Sequence, residues 1–578
     1  MGNQNSIDRK VKEWLNEPYD IETREEVKRM IKNASADEIT DAFYKDLEFG
    51  TGGLRGIMGP GTNRINKYTL GKATQGLSNY LKKSFPDTDI SIALAHDNRN
   101  NAREFANIVA NVFSANGIKV YFFEDLRPTP ELSFAIRHLN CQSGVMLTAS
   151  HNPREYSGYK AYWSDGGQVV SPHDKNIIEE VNAIENVDAI DFVGKPELIE
   201  FIGEEIDRAF LQKVSEASVY PDVCKKQSDL RMVFSPIHGA AVDMVPKAIQ
   251  NAGFKALHLV EEQCTPDGDF PTVIYPNPEE EEALTMAIEK AKEVDAELVM
   301  ASDPDGDRVG IAIKANNGAY KLLNGNQTAS LLFHYVMNGW KEKNLLSGNE
   351  YIVKTIVTSQ LLDKMAKEMG IQCYNTLTGF KFIGNLMTAL EGKEKFLVGG
   401  EESYGYLIGD HVRDKDAVVS CALIAEMTAW YKEQGKSLED GLIDIYQQYG
   451  FFKERLISFT KKGPQGAQEI SDMMENFRSN PPQSIDGEEV VSMNDFLNGF
   501  EKNLTTGVIT QLDFPKSNVL QFITASGCMV SARPSGTEPK IKFYISVNTP
   551  LDAKSNYEET EAVLETKIDQ IAGEMGVL

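Results

Sequence analysis

Four short segments carry side chains whose types and spacing could do chemistry. The most pointed is Asp303-Pro-Asp305-Gly-Asp307-Arg308, where three carboxylates at alternate positions repel one another unless a hard cation sits among them. An EF-hand would need Gly at the sixth loop position and Glu at the twelfth, and those places hold Arg308 and Lys314. Octahedral Mg²⁺ fits instead, with places left for water and a phosphate oxygen. A solvated acidic turn is the plainer alternative. Thr148-Ala-Ser150-His151-Asn152-Pro153 exposes a serine hydroxyl in a turn, and its flanks are not the G-x-S-x-G of a hydrolase elbow. Alone, it is also an ordinary Asn-Pro turn with a capping serine. Gly399-Gly400-Glu401-Glu402-Ser403-Tyr404-Gly405 sets acceptors and a hydroxyl between glycines, as a polyhydroxylated ligand or a plain polar turn would need. Arg533-Pro-Ser535-Gly536-Thr537-Glu538-Pro539 gathers a guanidinium, two hydroxyls and a glycine-permitted nest of N–H groups suited to a phosphate dianion.

The elements that must position these segments alternate. Strand-like runs at Ile90–Ala95, Lys119–Phe123 and Gly144–Thr148 are separated by helical spacing near 103–115 and 129–139. The rhythm recurs at Leu230–Phe234, Ala256–Val260, Glu297–Ala301 and Val309–Ile313. It recurs again at Tyr351–Val357, a helix near 359–369, Phe396–Val398 and a helix near 417–434. Such βα alternation predicts α/β sheets covered by helices, and functional loops then gather at the carboxyl ends of strands. All four segments sit there. The first 45 residues read as helices, with capping boxes at Thr23/Glu26 and Ser35/Glu38. From about 453 the pattern changes to strands at Arg455–Phe459, Cys528–Ala532 and Ile541–Val547 and a closing helix at 554–575. The expectation is four domains at 1–205, 206–318, 319–452 and 453–578: three related α/β domains and a smaller α+β one.

Composition removes several function classes. With 59 Lys and Arg against 85 Asp and Glu, the net charge of −26 is the wrong sign for a nucleic-acid partner. Six scattered cysteines without a C-x-x-C pair argue against a disulfide framework and against structural zinc. The apolar stretch Ala417–Ala425 stops at Glu426, far short of a membrane span, and a cytoplasmic enzyme is expected. Gly2 and Ser6 match a myristoylation pattern too loose to weigh against chance. Nucleotide loops are missing: Gly435-Lys436-Ser437 has Trp430 where a P-loop needs glycine, and Arg55 stands where a dinucleotide fingerprint needs its third glycine.

Taken jointly and in order, the four segments resemble the α-D-phosphohexomutase superfamily, and most closely its bacterial α-phosphoglucomutase branch. The resemblance runs from Phe49-Gly-Thr-Gly-Gly-Leu-Arg55-Gly to Tyr544, about 85% of the chain. It implies a central cleft and a reversible transfer between the 1- and 6-positions of a hexose phosphate, through a bisphosphorylated sugar. Ser150 would carry the phosphoryl group, with Asp303, Asp305, Asp307 and Ser150 holding one Mg²⁺. Arg55, His151, Lys160, Arg308 and Lys415 would lie beside the transferred group, the general base being Lys160 or Lys415. Thr378, Gly379, Lys381, Glu401, Ser403 and Arg413 would contact substrate, and Arg533, Ser535, Gly536 and Thr537 its non-reacting phosphate. Glucose 1,6-bisphosphate would be activator and intermediate, and the protein a monomer or homodimer. Phosphomannomutase-type members carry histidines where this chain has Phe380 and Gly405, which shifts the expectation toward glucose. Mannose and pentose phosphates, a serine-dependent phosphatase and a silent sugar-phosphate binder are the other readings.

Overall fold

The computed structural model describes residues 2–50, 52–461, 463–535 and 540–577. They fall into two compact units. The first comprises Met1–Leu323, Phe380–Phe396 and Ser403–Glu433; the second comprises Asn324–Gly379, Leu397–Glu402 and Gln434–Leu578.

Two sheets build the first unit. One contains β1 (Gly53–Ile57), β2 (Ser91–His96), β3 (Lys119–Phe123), β4 (Ser143–Leu147), β5 (Tyr156–Trp163) and β6 (Ile199–Ile202), in the order β1-β5-β4-β2-β3-β6. Strands β4, β2, β3 and β6 run parallel, while β5 returns antiparallel to β4 and β1 antiparallel to β5. Its core is a continuous apolar set that includes Ile92, Leu94, Val120, Phe122, Val145, Leu147 and Tyr159. The fully buried run of β4 is what a central parallel strand requires. The other sheet contains β7 (Met232–Ser235), β8 (Leu257–Leu259), β9 (Leu298–Ser302), β10 (Val309–Lys314) and β11 (Tyr320–Leu323), ordered β11-β10-β9-β7-β8. Again β7, β8 and β9 are parallel and β10 returns antiparallel. The same device is thus used twice. A buried parallel strand ends in a loaded loop, and the chain comes back as the neighbouring antiparallel strand.

The second unit holds β12 (Glu350–Thr355), β13 (Gln372–Thr376) and most of β14 (Lys395–Glu401). The next strand, β15 (Gly405–Ile408), follows the third loaded loop. The second unit also holds an antiparallel sheet formed by β16 (Phe451–Thr460), β17 (Ser484–Ile485), β18 (Glu488–Asp495), β19 (Phe500–Asn503), β20 (Ile509–Gln511), β21 (Leu520–Thr524), β22 (Met529–Pro534) and β23 (Lys540–Thr549). The helix Gly463–Ser479 and the strands between 484 and 524 were not expected from sequence. At the N-terminus three helices form as expected, packed through Trp14, Phe43 and Tyr68. Ser35 and Glu38 make their capping box, but Thr23 caps nothing: Asp20 is the N-cap, accepting from the Thr23 N–H at 2.9 Å.

Strand pairing fixes two charged side chains. In β5 the period of two sends Tyr159 and Ala161 into the core and Lys160 and Tyr162 to the opposite face. Against it β1 pairs Gly53 with Lys160 and Arg55 with Gly158. Gly53 has φ +137° and lies so close to β5 that a Cβ would sit 1.7 Å from the Tyr159 carbonyl oxygen. No L side chain fits there. Gly53→Ala should therefore lower the unfolding free energy by about 2–3 kcal/mol in denaturant titration, and an unchanged midpoint would show that β1 is not held this tightly.

Candidate active site

The chemistry of the first unit centres on the turn between β9 and β10. Asp303, Asp305 and Asp307 are all buried, and one oxygen from each lies within 4.8 Å of the others. Asp303 Oδ1 accepts the backbone N–H groups of Asp307 and Arg308 at 3.0 and 2.9 Å, which shapes the turn. Lys160 Nζ donates to Asp305 Oδ2 at 2.6 Å and to Asp307 Oδ2 at 3.2 Å, and Lys415 Nζ lies 3.1 Å from Asp307 Oδ2. Thr129, at the start of a helix, adds its backbone N–H to the Asp305 carbonyl and its hydroxyl to Asp305 Oδ2. Asp305 Oδ1 and Asp307 Oδ1 are buried with no hydrogen-bond partner among the described residues. Two orphaned carboxylate oxygens in one buried cluster are what a hard divalent cation needs. The donor set fits a metal ion.

Electrostatics divides the three acids. Burial, reinforced by its two neighbours, pushes Asp303 well above the carboxylate range. Burial acts on Asp305 too, but the Lys160 ammonium overrides it and holds that group below its ordinary value. Asp307 also ends below it, because Lys415 and Lys160 outweigh burial and the Asp305 charge.

Ser150 sits at the end of β4, buried, with φ +54°, a left-handed conformation uncommon for serine. Its Oγ donates to Asp303 Oδ2 at 3.0 Å and lies 3.2 Å from His151 Nδ1. Burial, then the Arg308 and Arg55 charges, keep the His151 imidazole neutral. Arg55 reaches Asn152 Oδ1 at 3.3 Å, and Arg308 pairs with Glu279. Ser150, His151, Arg55, Lys160, Lys415, Arg308 and the three aspartates thus lie around one turn of the first unit.

Arg413 departs from the expected role in substrate contact. It is fully buried, donating to the Asp410 and Val412 carbonyls at 2.7 and 2.9 Å and pairing with Glu391 at 3.1 Å. Its guanidinium organises the loop that carries Lys415. Lys381 is half-buried, and burial, against the Asp174 charge, lowers its pKa.

Sequence reasoning missed Arg99. This buried residue follows β2, the strand beside β4, and its guanidinium donates to four carbonyls of the serine loop: Ser150 (2.6 Å), Asn152 (2.5 Å), Pro153 (2.8 Å) and Tyr156 (2.9 Å). Asp97 backs it, 3.4 Å from Nε and accepting the Arg99 N–H at 3.0 Å. The signal was Asp97-Asn98-Arg99 at the end of a strand predicted to lie in the same sheet.

In the second unit Glu401 Oε1 accepts the N–H of Gly379 at 2.7 Å, and Thr378 Oγ1 is buried without a hydrogen-bond partner among the described residues. Thr355 and Thr358 hydroxyls hold Glu402, each at 3.0 Å. Arg533, half-buried at the end of β22, lies beside the buried Tyr544 phenol, and the Ser535 N–H closes its loop onto the Lys540 carbonyl at 2.7 Å. Gly536 and Thr537 fall outside the described residues. Ser403, assigned to the first unit, is half-buried between β14 and β15.

Comparison with known proteins covers three of the four loops with family models. Models of the phosphoglucomutase/phosphomannomutase α/β/α domains I, II and III match residues 46–188, 208–318 and 324–449. A phosphoglucomutase of Staphylococcus aureus (strain bovine RF122 / ET3-1) is 37% identical over 527 residues, 91% of this chain and 94% of that protein. The chain belongs to the phosphoglucomutase/phosphomannomutase family. It is an α-D-phosphohexomutase close to the bacterial phosphoglucomutases, as its four segments led one to expect. The fold agrees. The exocytosis-sensitive phosphoprotein parafusin of Paramecium, a phosphoglucomutase, superposes with a TM-score of 0.68 at 20% identity over 92% of this chain and 96% of that one. A phosphoglucomutase/phosphomannomutase family protein of Burkholderia thailandensis gives 0.64 at 17% identity over 91% and 97%. Among the described residues no helix is long and apolar enough to cross a membrane.

Two outcomes follow from the Arg99 clamp. Arg99→Lys keeps the charge but loses the planar fork, so turnover should fall about 10²-fold through misplacement of Ser150 while KM moves little. Steady-state kinetics checks this, and an equal loss confined to KM would contradict it. Burial pushes the Asp97 carboxyl from 3.8 to about 6, against the Arg99 charge that lowers it. A folded pKa above the unfolded one means the folded state binds the extra proton, so this group's contribution to stability falls as pH rises from about 4 to about 6, by about 3 kcal/mol in all. Asp97→Asn should lack that slope in denaturant midpoints measured across the window.

Proposed function

We propose that this chain interconverts hexose 1-phosphate and hexose 6-phosphate, with glucose phosphates preferred, and that Ser150 carries the transferred phosphoryl group. The observation that supports this most is the Ser150 hydroxyl 3.0 Å from Asp303 Oδ2, held on a strained loop against a buried three-carboxylate turn. We also propose four domains, at 1–205, 206–318, 319–452 and 453–578.

The cycle starts from phospho-Ser150. A sugar hydroxyl oxygen forms the new bond to phosphorus, the bond from phosphorus to Ser150 Oγ breaks, and the hydroxyl proton passes to Lys160 or Lys415, whichever of the two is then the neutral amine, the other staying an ammonium. The resulting glucose 1,6-bisphosphate turns over, the Ser150 oxygen takes its other phosphate as that sugar O–P bond breaks, and the lysine returns its proton to the released sugar oxygen, leaving the isomerised monophosphate. Mg²⁺, one per chain, held by Asp303, Asp305, Asp307 and the Ser150 oxygen, would neutralise charge on the transferred group. Arg55, Arg308 and whichever of the two lysines stays an ammonium add positive charge there, and neutral His151 can share a proton with the serine oxygen. Thr378, Gly379, Lys381, Glu401 and Ser403 contact the sugar and its phosphate, while Arg533, Ser535, Gly536 and Thr537 grip the phosphate that is not reacting. Arg413 acts from behind, by holding the Lys415 loop. The setting is cytoplasmic, with the protein a monomer or homodimer and no nucleic-acid or membrane partner.

A panel of 1-phosphosugars assayed with a trace of glucose 1,6-bisphosphate tests the reading. Glucose 1-phosphate should give 6-phosphate fastest, intact mass should show one phosphate on Ser150, and Ser150→Ala should lose several orders of magnitude in turnover. Free phosphate without isomerised product would instead mark a phosphatase.

A further inference from the structure

Lys415 reaches the carboxylate turn through a narrow passage, and the residues forming it are not catalytic. Its ammonium is 3.1 Å from Asp307 Oδ2 and 3.1 Å from Asp414 Oδ1. Asp414 is in turn fixed by the Tyr162 hydroxyl, which donates to Oδ2 at 2.7 Å, and by the Lys415 N–H, which donates to Oδ1 at 2.8 Å. The buried Phe380 ring lies 5.6 Å from the ammonium. The four-carbon stem crosses Gly405. A Cβ built there would stand 2.0 Å from Lys415 Cδ, 2.7 Å from Cγ and 3.2 Å from Cε. Gly405 is not among the positive-φ residues, so its backbone would accept other amino acids. What excludes a side chain is the lysine itself.

We propose that Gly405 is a positioning residue whose missing side chain admits Lys415 to Asp307, with Phe380 and the Tyr162–Asp414 pair forming the other walls of the slot. A side chain at 405 and a lysine seated at 415 exclude each other. The two departures noted in the sequence, Phe380 and Gly405, thus bear on one ammonium. This inference rests on the mutase reading above, in which Lys415 serves the transferred group.

The test is a double-mutant cycle on the full chain with Mg²⁺, comparing wild type, Gly405→Ala, Lys415→Ala and the double variant. Turnover of glucose 1-phosphate should fall about 10–100-fold in Gly405→Ala, and adding that change to Lys415→Ala should cost less than about twofold more, because the clash has gone. The thermal midpoint gives a second readout free of catalysis. It should drop in Gly405→Ala and recover in the double variant, and if Gly405→Ala is insoluble the double variant should still fold. An equal loss from Gly405→Ala in both backgrounds, or a Gly405→Ala enzyme as active and stable as wild type, overturns the slot. Wild type that isomerises no 1-phosphosugar would instead overturn the mutase reading, so the two failures are told apart.

Discussion

Three carboxylates share one buried turn, and most of the first unit answers that repulsion. With oxygens no more than 4.8 Å apart, each pair of full charges repels by about 3.5 kcal/mol at an effective dielectric of about 20. Three such pairs approach the whole stability of an ordinary domain. The two ammoniums of Lys160 and Lys415 offset two of the three charges. Arg308, whose Nε is 3.9 Å from Asp307 Oδ1, a proton on Asp303 and a bound cation can each supply the rest. Of these, only a cation also uses the orphaned oxygens of Asp305 and Asp307. The turn is an anionic socket that is incomplete until something positive occupies it.

That socket explains why neighbouring elements look strained or crowded. Ser150 is held in a left-handed conformation where its hydroxyl can meet Asp303, and four carbonyl contacts from one arginine hold the loop there. Gly53 lets β1 approach β5 and so sets the register that presents Lys160. Arg413 is spent on the loop that carries Lys415. Each second-layer residue fixes the position of one charge, and a shift of an ångström at any of them would unbalance the others.

Legibility in the sequence followed locality. The Asp303–Arg308 turn and the Ser150 loop declared themselves because their chemistry is packed into six residues following an apolar run. Strands such as Lys119–Phe123 were readable as written, and others shifted by a residue or two. Strand β5 was not seen, since Ser157, Gly158 and Lys160 interrupt the apolar pattern of a strand. Arg99 and Gly405 did not show their roles for another reason: those depend on which strand or side chain lies beside them in space. The resemblance set Arg413 among the substrate contacts, and its partners Asp410 O, Val412 O and Glu391 cannot be read from spacing. In the C-terminal sheet the half-exposed strands between 484 and 511 carry too weak an alternation to separate them from loops.

The central claim is that the carboxylate turn is built around a divalent cation. Calorimetric titration of the chain with Mg²⁺, without sugar phosphate, addresses it most directly. The account predicts one site per chain, weakened at least about tenfold when Asp305 is replaced by Asn. Absence of binding in wild type, or equal affinity in the variant, would contradict it.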